Sequence, residues 1–332
     1  MLDTNKMSSK YNKLVLISGG LGFIGSHVTI LLPYKVLILD NLSNSSISRL
    51  TEIRKIKPDV EFYQGDYTNI KTLDYIFSKY NISAIIHLAA LKSVPQSVAD
   101  PQKYYIHNTL GTMSLITSMK SFKVENIIFS SSACVYKSKP TLLSETDELD
   151  PPNPYGKSKY DIEKYLEHID IDSISLRYFN PIGGIFKEDN PNNVLPIIAR
   201  CIKTQTVFNI FGTDYPTEDG TAVRDYISVM DVAEAHRDCL EILLNKNKYI
   251  RDMSRIQKIY NLGTGSGVSV QQLVQTINNL TNDKLKYKYT ARRQGDVSHL
   301  IADPSLIREE LNWKARYTLE DCLQDVIKLY GL

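Results

Sequence analysis

Tyr155 and Lys159 are the residues whose types and spacing first indicate chemistry. They lie four residues apart in the stretch PPNPYGKSKY, from Pro151 to Tyr160. Residues at i and i+4 share one face of a helix, and Pro154 suits a first helical turn. On such a face a tyrosine can remove a proton from a hydroxyl group, provided that its pKa is lowered. A YxxxK pattern alone is more often an exposed pair on a polar helix, so other residues must support this interpretation.

The required change in the tyrosine pKa sets what the neighbours must supply. A fall of about 3 from the usual value of about 10 costs about 4 kcal/mol. One cation near 4 Å supplies about that much at an effective dielectric constant of about 20. Lys159 is one such cation, and an oxidised nicotinamide would be a second. The FSSS stretch, Phe129 to Ser132, ends a predicted strand, where the Ser132 hydroxyl can share a proton with the tyrosine and a substrate oxygen.

A glycine-rich loop gives the context for a nicotinamide. The sequence ISGGLGFIG, Ile17 to Gly25, follows the first apolar run and opens the first helical pattern. Gly19, Gly22 and Gly25 satisfy GxxGxxG, and Gly20 permits the variant GxGxxG. Glycine here allows a tight turn and a close approach of the backbone to a pyrophosphate at the helix N-terminus. The flanking strand and helix make the motif more specific than its spacing alone.

Asp40 ends the second predicted strand, 21 residues after Gly19. A carboxylate at this place accepts hydrogen bonds from both ribose hydroxyls and repels a 2′-phosphate, which favours NAD over NADP. The alternative is that Asp40 is a turn residue before Asn41.

Strands and helices alternate through the first 180 residues, which predicts an α/β fold with a doubly wound, parallel, Rossmann-like sheet. The predicted strands are Lys13–Ser18, Tyr34–Asp40, Val60–Gln64, Ala84–His87, Asn126–Ser131 and Ser173–Arg177. The predicted helices are Ile24–Leu32, Lys71–Lys79, Lys103–Ser121 and Tyr155–His168.

The pattern changes after Pro181, where proline, asparagine and glycine become frequent. Helical periodicity returns at Val232–Leu244, a short strand is predicted at Lys258–Leu262, and the tail from Asp303 to Leu332 is mostly amphipathic helix. We therefore expect a dinucleotide-binding domain, residues 11–181 with returns near 226–262, and a smaller mixed α/β substrate-binding domain, residues 182–225 and 263–332.

Composition argues against several classes of partner. The 332 residues carry a net charge of +2 and no basic block, which disfavours nucleic acid and anionic membranes. The four cysteines form no CxxC and the six histidines have no metal-ligand spacing, so we expect no metal and a reducing, cytoplasmic location. The apolar stretch from Leu14 to Pro33 contains four glycines, and it fits strand, turn and helix better than a membrane span.

Together, the glycine loop, the FSSS strand end and YxxxK resemble the extended short-chain dehydrogenase/reductase family, along nearly the whole chain. The most specific segment is FGTDYPTEDGTAVRDYISVMDVA, Phe211 to Ala233, since neither cofactor binding nor the general fold demands it. The other segments that carry the resemblance are LDNLSNS (Leu39–Ser45), HLAALKSVPQSV (His87–Val98), FSSSACVY (Phe129–Tyr136), NPYGKSK (Asn153–Lys159), LRYFNP (Leu176–Pro181), PNNVLP (Pro191–Pro196), YNLGTGSG (Tyr260–Gly267) and ARRQGDV (Ala291–Val297).

The resemblance implies a redox-neutral isomerase that interconverts UDP-galactose and UDP-glucose with tightly bound NAD. Tyr155 would take the proton of the sugar 4-hydroxyl, relayed through Ser132, while the 4-hydrogen leaves as hydride to NAD⁺. The 4-keto sugar would turn over in the pocket and take the hydride back on its opposite face. Lys159 would lower the tyrosine pKa and hold the nicotinamide ribose.

The resemblance also implies a set of cofactor-binding residues. Asp40 and its neighbours would hold the adenosine ribose and phosphate, and Asp66 would accept from the adenine amine. The full set is Gly19, Gly22, Phe23, Ile24, Gly25, Asp40, Asn41, Ser43, Asn44, Ser45, Asp66, Tyr67, Leu88, Ala89, Ala90, Lys92, Asn108, Ser130, Tyr155, Lys159 and Tyr178.

A second implied set would bind the UDP-sugar. Arg224 and Arg293 would clamp the pyrophosphate, a role that suits planar guanidinium groups. Phe211 would flank uracil, and Asp296 would take the uridine ribose. The full set is Lys92, Ser132, Tyr155, Phe179, Asn180, Asn193, Val194, Phe211, Arg224, Tyr226, Arg293, Asp296 and Leu300.

Several positions depart from the family pattern. Cys134 stands where threonine is expected, Ala90 replaces glycine, Leu110 replaces a polar residue and Ser228 replaces histidine. The loop from Gly183 to Asn193 is shorter than the family's loop, which leaves its sugar contacts open.

Leu300, four residues after Asp296, takes the position that gates N-acetylated sugars, and its middling size leaves their entry open. An epimerase for UDP-N-acetylhexosamines is therefore one alternative, and another NAD-dependent nucleotide-sugar epimerase or dehydratase is a second.

Other rivals lack residues that their chemistry needs. A 4,6-dehydratase places Asp–Glu after the strand-end hydroxyl, where this chain has Ala133 and Cys134, and a sugar-acid decarboxylase needs glutamate at the second position. An ordinary alcohol dehydrogenase needs no arginine clamp. A non-enzymatic NAD sensor would not need Tyr155, Lys159 and Ser132 together.

The family also pairs two helical segments across a two-fold axis as a four-helix bundle. The corresponding segments here are Lys103–Ser121 and Lys157–His168. A homodimer is therefore expected, and the alternative is that both segments simply cover the sheet.

Overall fold

The computed structural model describes residues 13–188, 191–249, 254–293 and 295–332. Residues 11 and 12, the first two of the predicted dinucleotide-binding domain, lie outside this range. Two positions of the short loop between Gly183 and Asn193 also lie outside it.

A parallel sheet is the centre of the described part of the chain. The strands in chain order are β1 Leu14–Ser18, β2 Lys35–Asp40, β3 Glu61–Gln64, β4 Ile82–His87, β5 Asn126–Ser132, β6 Asp172–Tyr178, β7 Asn180–Ile182, β8 Phe208–Phe211, β9 Val223–Arg224, β10 Tyr226–Ser228, β11 Gln257–Leu262, β12 Val268–Ser269, β13 Tyr287–Thr290 and β14 His299–Leu300. Seven of these described strands pair in parallel, in the order β3-β2-β1-β4-β5-β6-β11. The order reverses between β1 and β4, so a crevice is expected at the carboxyl ends of these strands. The predicted doubly wound sheet is confirmed.

Helices cover both faces of this sheet. In chain order they are α1 Phe23–Leu31, α2 Ser48–Ile56, α3 Ile70–Lys79, α4 Val94–Ala99, α5 Pro101–Tyr104, a π-helix Tyr105–Leu110, α6 Gly111–Ser121, a 3₁₀ turn Ala133–Val135, α7 Pro154–His168, α8 Val194–Thr204, α9 Val229–Leu244, α10 Lys246–Tyr249, α11 Val270–Thr281, α12 Ser305–Leu311 and α13 Leu319–Tyr330.

Successive residues of β1 enter different cores. Val15 and Ile17 pack with Val232 and Leu240 of α9, whereas Leu16 packs with Leu115 of α6 on the opposite face. All of them are fully buried. A strand covered on both faces needs a continuous apolar run, and β1 has one.

A separate core lies beyond the main sheet. It gathers Ile198 of α8, Ile210 of β8, Leu273 of α11 and Leu323 of α13. Between these segments the chain returns to the main sheet through α9 and β11, which pairs with β6, whereas β10 pairs with β7 in a separate two-stranded sheet. The division into two domains, with returns near 226–262, stays a prediction.

The predicted helix Lys103–Ser121 is present and contains a π-helical segment. A π-helix separates α5 from α6, and within it the carbonyl of His107 accepts a hydrogen bond from the Tyr67 hydroxyl at 2.8 Å. In the same turn, the Asn108 side-chain oxygen accepts a hydrogen bond from the Leu91 N–H, and its amide group donates one to the Leu91 carbonyl. The π-helical turn thus makes hydrogen bonds to residues distant in sequence, and the local apolar pattern does not predict these bonds.

The predicted helical tail is also divided. Asn312 ends α12 with a φ of 53°. The buried carboxylate of Asp231 then accepts the backbone N–H groups of Arg316 and Tyr317, at 3.1 and 3.3 Å, and holds the connection to α13.

Candidate functional site

The glycine loop between β1 and α1 packs too closely for side chains. Gly19 has a φ of +75°, and a Cβ there would lie 2.7 Å from the nitrogen of Ala89. A Cβ on Gly25 would lie 2.3 Å from the Gly19 carbonyl oxygen. The backbone therefore approaches the β4 end directly, and the N-terminus of α1 opens toward the crevice with its N–H groups available to an anion.

Asp40 ends β2 at the same edge of the sheet. Its carboxylate is buried and accepts from the Leu21 and Leu42 N–H groups at 3.1 and 3.0 Å and from the Ser45 hydroxyl at 2.7 Å. These bonds fix its orientation and leave capacity for further donors, because an ionised carboxylate has about four acceptor sites.

Asp66 follows β3 and stays ionised. Burial favours its neutral form, but hydrogen bonds from the Thr68 N–H and hydroxyl and from the Asn41 amide hold its pKa below the usual value. Asn41 and Asp66 therefore form one hydrogen-bonded wall.

A cleft of about 760 Å³ joins these residues to the ends of β4, β5 and β6. That size is typical of a cofactor pocket. The predicted cofactor residues that line it are Gly19, Gly22, Phe23, Ile24, Gly25, Asp40, Asn41, Ser43, Asn44, Asp66, Tyr67, Leu88, Ala89, Ala90, Lys92, Ser130, Tyr155, Lys159 and Tyr178.

Two predicted cofactor residues lie behind the wall of this cleft. Ser45 bonds the Asp40 carboxylate, and Asn108 bonds the Leu91 backbone and the Ser158 hydroxyl. Both support residues that do line the cleft.

Sequence reasoning missed other lining residues, including Gln96, Lys103, Tyr104, His107 and Asn192. They come from the α4–α6 region and the shortened loop. No local motif marks them, because only the folding of these segments over the sheet brings them to the cleft.

Helix α7 begins against the end of β5. The Asn153 side chain accepts from the Gly156 N–H at 2.9 Å, and Pro154 occupies the first turn. A Cβ on Gly156 would lie 2.2 Å from the Cys134 carbonyl oxygen. The cap and the glycine together let Tyr155 lie beside Ser132.

Lys159 is buried and donates to the Ser130 carbonyl at 2.7 Å and to its hydroxyl at 3.3 Å. Its ammonium nitrogen lies 6.0 Å from the centre of the Tyr155 ring. Burial lowers the Lys159 pKa to about 7, with the Glu163 charge opposing. This lysine can therefore change its charge near neutral pH.

The Tyr155 pKa differs from the sequence expectation. Burial raises it above its usual value, the neighbouring Cys134 adds to the rise, and the Ser132 hydroxyl opposes it. The predicted lowering is therefore not supplied by the folded chain alone.

The predicted nucleotide residues do not line this cleft but lie near one another at a second place. The Arg293 guanidinium lies 4.7 Å over the Phe211 ring and pairs with Asp296 at 2.9 Å. β9 pairs with β14 so that Arg224 lies opposite Leu300. Burial raises the Tyr226 pKa to about 12, with Arg224 and Arg293 opposing, so both guanidinium groups act on one buried phenol.

The remaining predicted substrate residues occupy two places. Phe179 is buried against Tyr136 and Ala302, and its neighbour Asn180 donates its backbone N–H to the Asp225 carbonyl at 3.0 Å. Lys92 pairs with Glu188 at 3.3 Å, and the Asn193 amide, just before Val194 starts α8, contacts the same carboxylate. Glu188 of the short loop thus connects two predicted sugar-binding residues.

Two departures from the family pattern have structural explanations. Ser228 caps α9, where its hydroxyl accepts from the Met230 N–H at 3.2 Å. Cys134 lies among Ser132, Arg224 and Asp296, and burial raises its pKa, so the thiol is neutral.

Among the described residues no group of three or more histidine, cysteine or acidic side chains could hold a metal ion. None of the described helices has the length and apolar character needed to cross a membrane.

Comparison with known proteins agrees with this geometry. A family model described as GDP-mannose 4,6 dehydratase matches residues 16–326. The chain is 39% identical over 329 residues to a UDP-glucose 4-epimerase of Bacillus subtilis, a match that covers 94% of this chain and 95% of the relative. The chain belongs to the UDP-glucose 4-epimerase family. The resemblance to extended short-chain dehydrogenases/reductases seen in the sequence is confirmed.

Solved structures of this epimerase family share the fold. The UDP-glucose-4-epimerase of Stenotrophomonas maltophila, with bound NAD and formylated UDP-arabinopyranose, is 36% identical with a TM-score of 0.87, and the match covers 96% of this chain and 98% of that one. The Bifidobacterium longum enzyme, in complex with NAD⁺ and UDP, is 34% identical with a TM-score of 0.87 over the same shares.

Proposed function

We propose that this chain is an NAD-dependent isomerase that interconverts UDP-galactose and UDP-glucose. The observation that carries the proposal is that Tyr155 and Lys159 line the cleft that starts at the glycine loop, with Ser132 beside Tyr155 at the end of β5. The relatives named as UDP-glucose 4-epimerases support it.

The cleft fits a dinucleotide. The close glycine turn and the open N-terminus of α1 suit a pyrophosphate, and the oriented Asp40 carboxylate suits ribose hydroxyls. NAD, when bound, supplies the group that accepts a hydride from sugar C4 and later returns it.

The chain's own residues handle the proton and the sugar. Ser132 and Tyr155 take the proton of the 4-hydroxyl and later return it, so no net proton is consumed. The charged Lys159 ammonium favours the Tyr155 phenolate, which burial alone disfavours. The 4-keto sugar turns over between the two steps, while the residues that bind UDP keep it in the cleft.

The nucleotide half of the substrate is assigned to residues 182–225 and 263–332. Arg224 and Arg293 would clamp the diphosphate, with Phe211 against uracil and Asp296 on the ribose. Support comes from their convergence beside Tyr226. The dinucleotide is assigned to residues 11–181 and the returns near 226–262, which carry the main sheet.

A dehydratase is disfavoured although the matching family model carries that name. Water elimination needs an acid and a base beside the tyrosine. Ala133 has no titratable group, and the Cys134 thiol is held neutral by burial.

A homodimer is the proposed assembly. Val98, Tyr105, Ile106 and Leu110 are 42–51% exposed on adjoining turns from α4 to the π-helix. Large apolar side chains that cluster on one surface mark an interaction site, and α7 packs beside this region, as a bundle between two copies requires.

The first experiment incubates the purified protein with UDP-galactose, without added cofactor, and follows UDP-glucose by ¹H NMR. Conversion is expected, from NAD carried through purification. Absence of conversion after NAD is added would contradict the proposal. Conversion of UDP-N-acetylgalactosamine alone would replace it with the N-acetylhexosamine alternative, in which Leu300 admits the larger sugar.

A further inference from the structure

The three serines that end β5 have three different partners. The carbonyl and hydroxyl oxygens of Ser130 accept hydrogen bonds from the Lys159 ammonium group, and Ser132 lies beside Tyr155. Ser131, which also lines the cleft, donates its hydroxyl to the Glu163 carboxylate at 2.5 Å. The proposed reaction uses the first and third serines but leaves Ser131 and Glu163 without a role.

Glu163 lies one helical turn after Lys159 on α7 and is 2% exposed. Both of its oxygens also accept from Arg177, one from Nε at 2.9 Å and one from Nη2 at 2.7 Å. Arg177 is fixed in turn by the Tyr136 hydroxyl at 2.7 Å and the Glu145 carbonyl at 3.1 Å. The carboxylate is therefore held rigidly.

Other groups face the Lys159–Tyr155 pair from the neighbouring elements. His87 of β4 is buried, and burial lowers its pKa to about 3, so it is neutral. Burial raises the pKa values of Tyr104 in α5, Tyr178 in β6 and Cys134 in the 3₁₀ turn, which keeps all three neutral as well. Glu163 supplies the negative charge that acts on Lys159, and Arg177 carries the balancing charge of the ion pair.

We propose that Glu163 is a positioning residue: its carboxylate, held by Ser131 and Arg177, keeps the Lys159 ammonium charged beside Tyr155 and ties α7 to the end of β5. The catalytic consequence rests on the proposed function, whereas the effect on Lys159 does not.

The sign of the effect follows from electrostatics. Removal of a fixed negative charge disfavours every nearby protonated form. Glu163→Gln should therefore lower the pKa of Lys159, and that of Tyr155 in the same direction, by about one to two pH units. A unit charge about 6 to 12 Å away contributes about 1.4 to 2.8 kcal/mol at an effective dielectric constant of about 20. A merely structural residue would change stability without moving these pKa values together.

The primary test is an NMR titration of protein labelled with ¹³C at lysine Cε, with the Lys159 signal assigned by its absence in Lys159→Arg. In the wild type we expect this signal to titrate near pH 7. Glu163→Gln should titrate about one to two pH units lower, and Glu163→Asp, which keeps the charge, should stay near the wild type. Glu167→Gln on the next turn, an exposed residue paired with Lys164, is the matched control and should not move the signal. An unchanged Lys159 pKa in Glu163→Gln would overturn the proposal.

A Gln at 163 leaves the Arg177 charge buried without its partner, and the variant could fail to fold. Glu163→Gln combined with Arg177→Gln removes both charges and keeps an amide pair. Because loss of the Arg177 charge partly offsets loss of the Glu163 charge, a smaller fall in the Lys159 pKa is expected. A Lys159 pKa equal to the wild type in the double variant would count against the proposal in the same way.

The second readout separates this inference from the proposed function. If the wild type epimerises UDP-galactose, both limbs of its kcat–pH profile should move to lower pH in Glu163→Gln and return in Glu163→Asp. Stationary limbs in an active Glu163→Gln variant would refute the catalytic part of the inference. An inactive wild type would refute the proposed function, while the NMR titration would still decide the role of Glu163.

Discussion

Tyr155 is the side chain on which the proposed chemistry depends. It lines the cleft beside Ser132, and the folded chain by itself raises its pKa. A base in this position works only when positive charge is close, which makes the site responsive to the charge of Lys159 and of a bound cofactor.

Replacement of Tyr155 by phenylalanine tests that role directly. The ring and its packing remain, and the proton acceptor is lost. We expect kcat to fall by at least about 100-fold, the low end of the range for general acid–base catalysis. The melting temperature and the amount of NAD released on denaturation should stay at wild-type values. Tyr160→Phe on the same helix, where the ring packs against an apolar cluster, should keep full activity. Turnover near wild type in Tyr155→Phe would rule out the assigned base.

At the element scale, the start of α7 decides where Tyr155 stands. Asn153 caps this helix and Gly156 lies against the Cys134 carbonyl, so the first turn is fixed on the end of β5. Loss of the cap should destabilise the first turn of α7 and loosen the position of Tyr155 within it.

Asn153→Ala should lower the free energy of unfolding by about 1 kcal/mol, as expected for a lost N-cap. It should also lower kcat, because Tyr155 lies in the first turn that the cap holds. Thr318→Ala removes the cap of α13, far along the chain, and should cost similar stability with no change in kcat. Urea unfolding and steady-state assays of both variants check this. Equal kcat values in the two variants would show that the cap does not position the tyrosine.

The main-sheet strands were predictable because each is a continuous apolar run between polar breaks. The missed helices had weaker local signals. α2 buries Leu50, Ile53 and the stem of Arg49 on an otherwise polar helix. α8 follows a proline- and asparagine-rich stretch that reads as loop. Its packing on α13 and β8 stabilises it, and that contact is not visible in a local pattern.

At the scale of the whole molecule, buried histidines couple stability to pH. Burial lowers the pKa of His27 to about 4, of His87 to about 3 and of His236 to about 4. An unfolded histidine titrates near 6.5, so below that pH the unfolded chain binds protons that the folded chain does not. Stability should therefore fall as pH decreases from about 6.5 to 4, by about 1.4 kcal/mol per pH unit for each histidine. Burial raises the pKa of Asp231 to about 6, so this carboxyl group stabilises the folded chain as pH decreases. Its contribution to the slope of stability against pH is opposite to that of a buried histidine and cancels about one of them.

The measurement is urea unfolding between about pH 7 and pH 4.5. His236→Asn should reduce the slope of stability against pH by about 1.4 kcal/mol per unit, while His168→Asn, at an exposed position, should leave it unchanged. Identical slopes in His236→Asn and the wild type would contradict the assignment of a neutral buried His236.

The proposed homodimer makes a prediction at the same scale. Ile106→Glu introduces a charge into the exposed apolar cluster and should convert the dimer to monomer in sedimentation velocity. Ile70→Glu, at a 58% exposed position on α3, is the matched control and should leave the sedimentation coefficient unchanged. Sedimentation of the wild-type protein as a monomer would contradict the proposed homodimer.

The sequence by itself determined the parallel sheet, the glycine loop, the NAD-type acidic residue and the Tyr155–Lys159 pair. Each is encoded within a few neighbouring residues, through apolar periodicity, glycine spacing or helical register. Tertiary structure decided the rest: the approach of Arg224 and Arg293, the π-helix that places Asn108 under Leu91, and the pairing of Glu163 with Arg177. These depend on contacts between distant segments, which form only when burial of the shared core compensates the loss of chain entropy. The raised Tyr155 pKa belongs to this second group, because desolvation is a property of the packed site and cannot be assigned to a residue type alone.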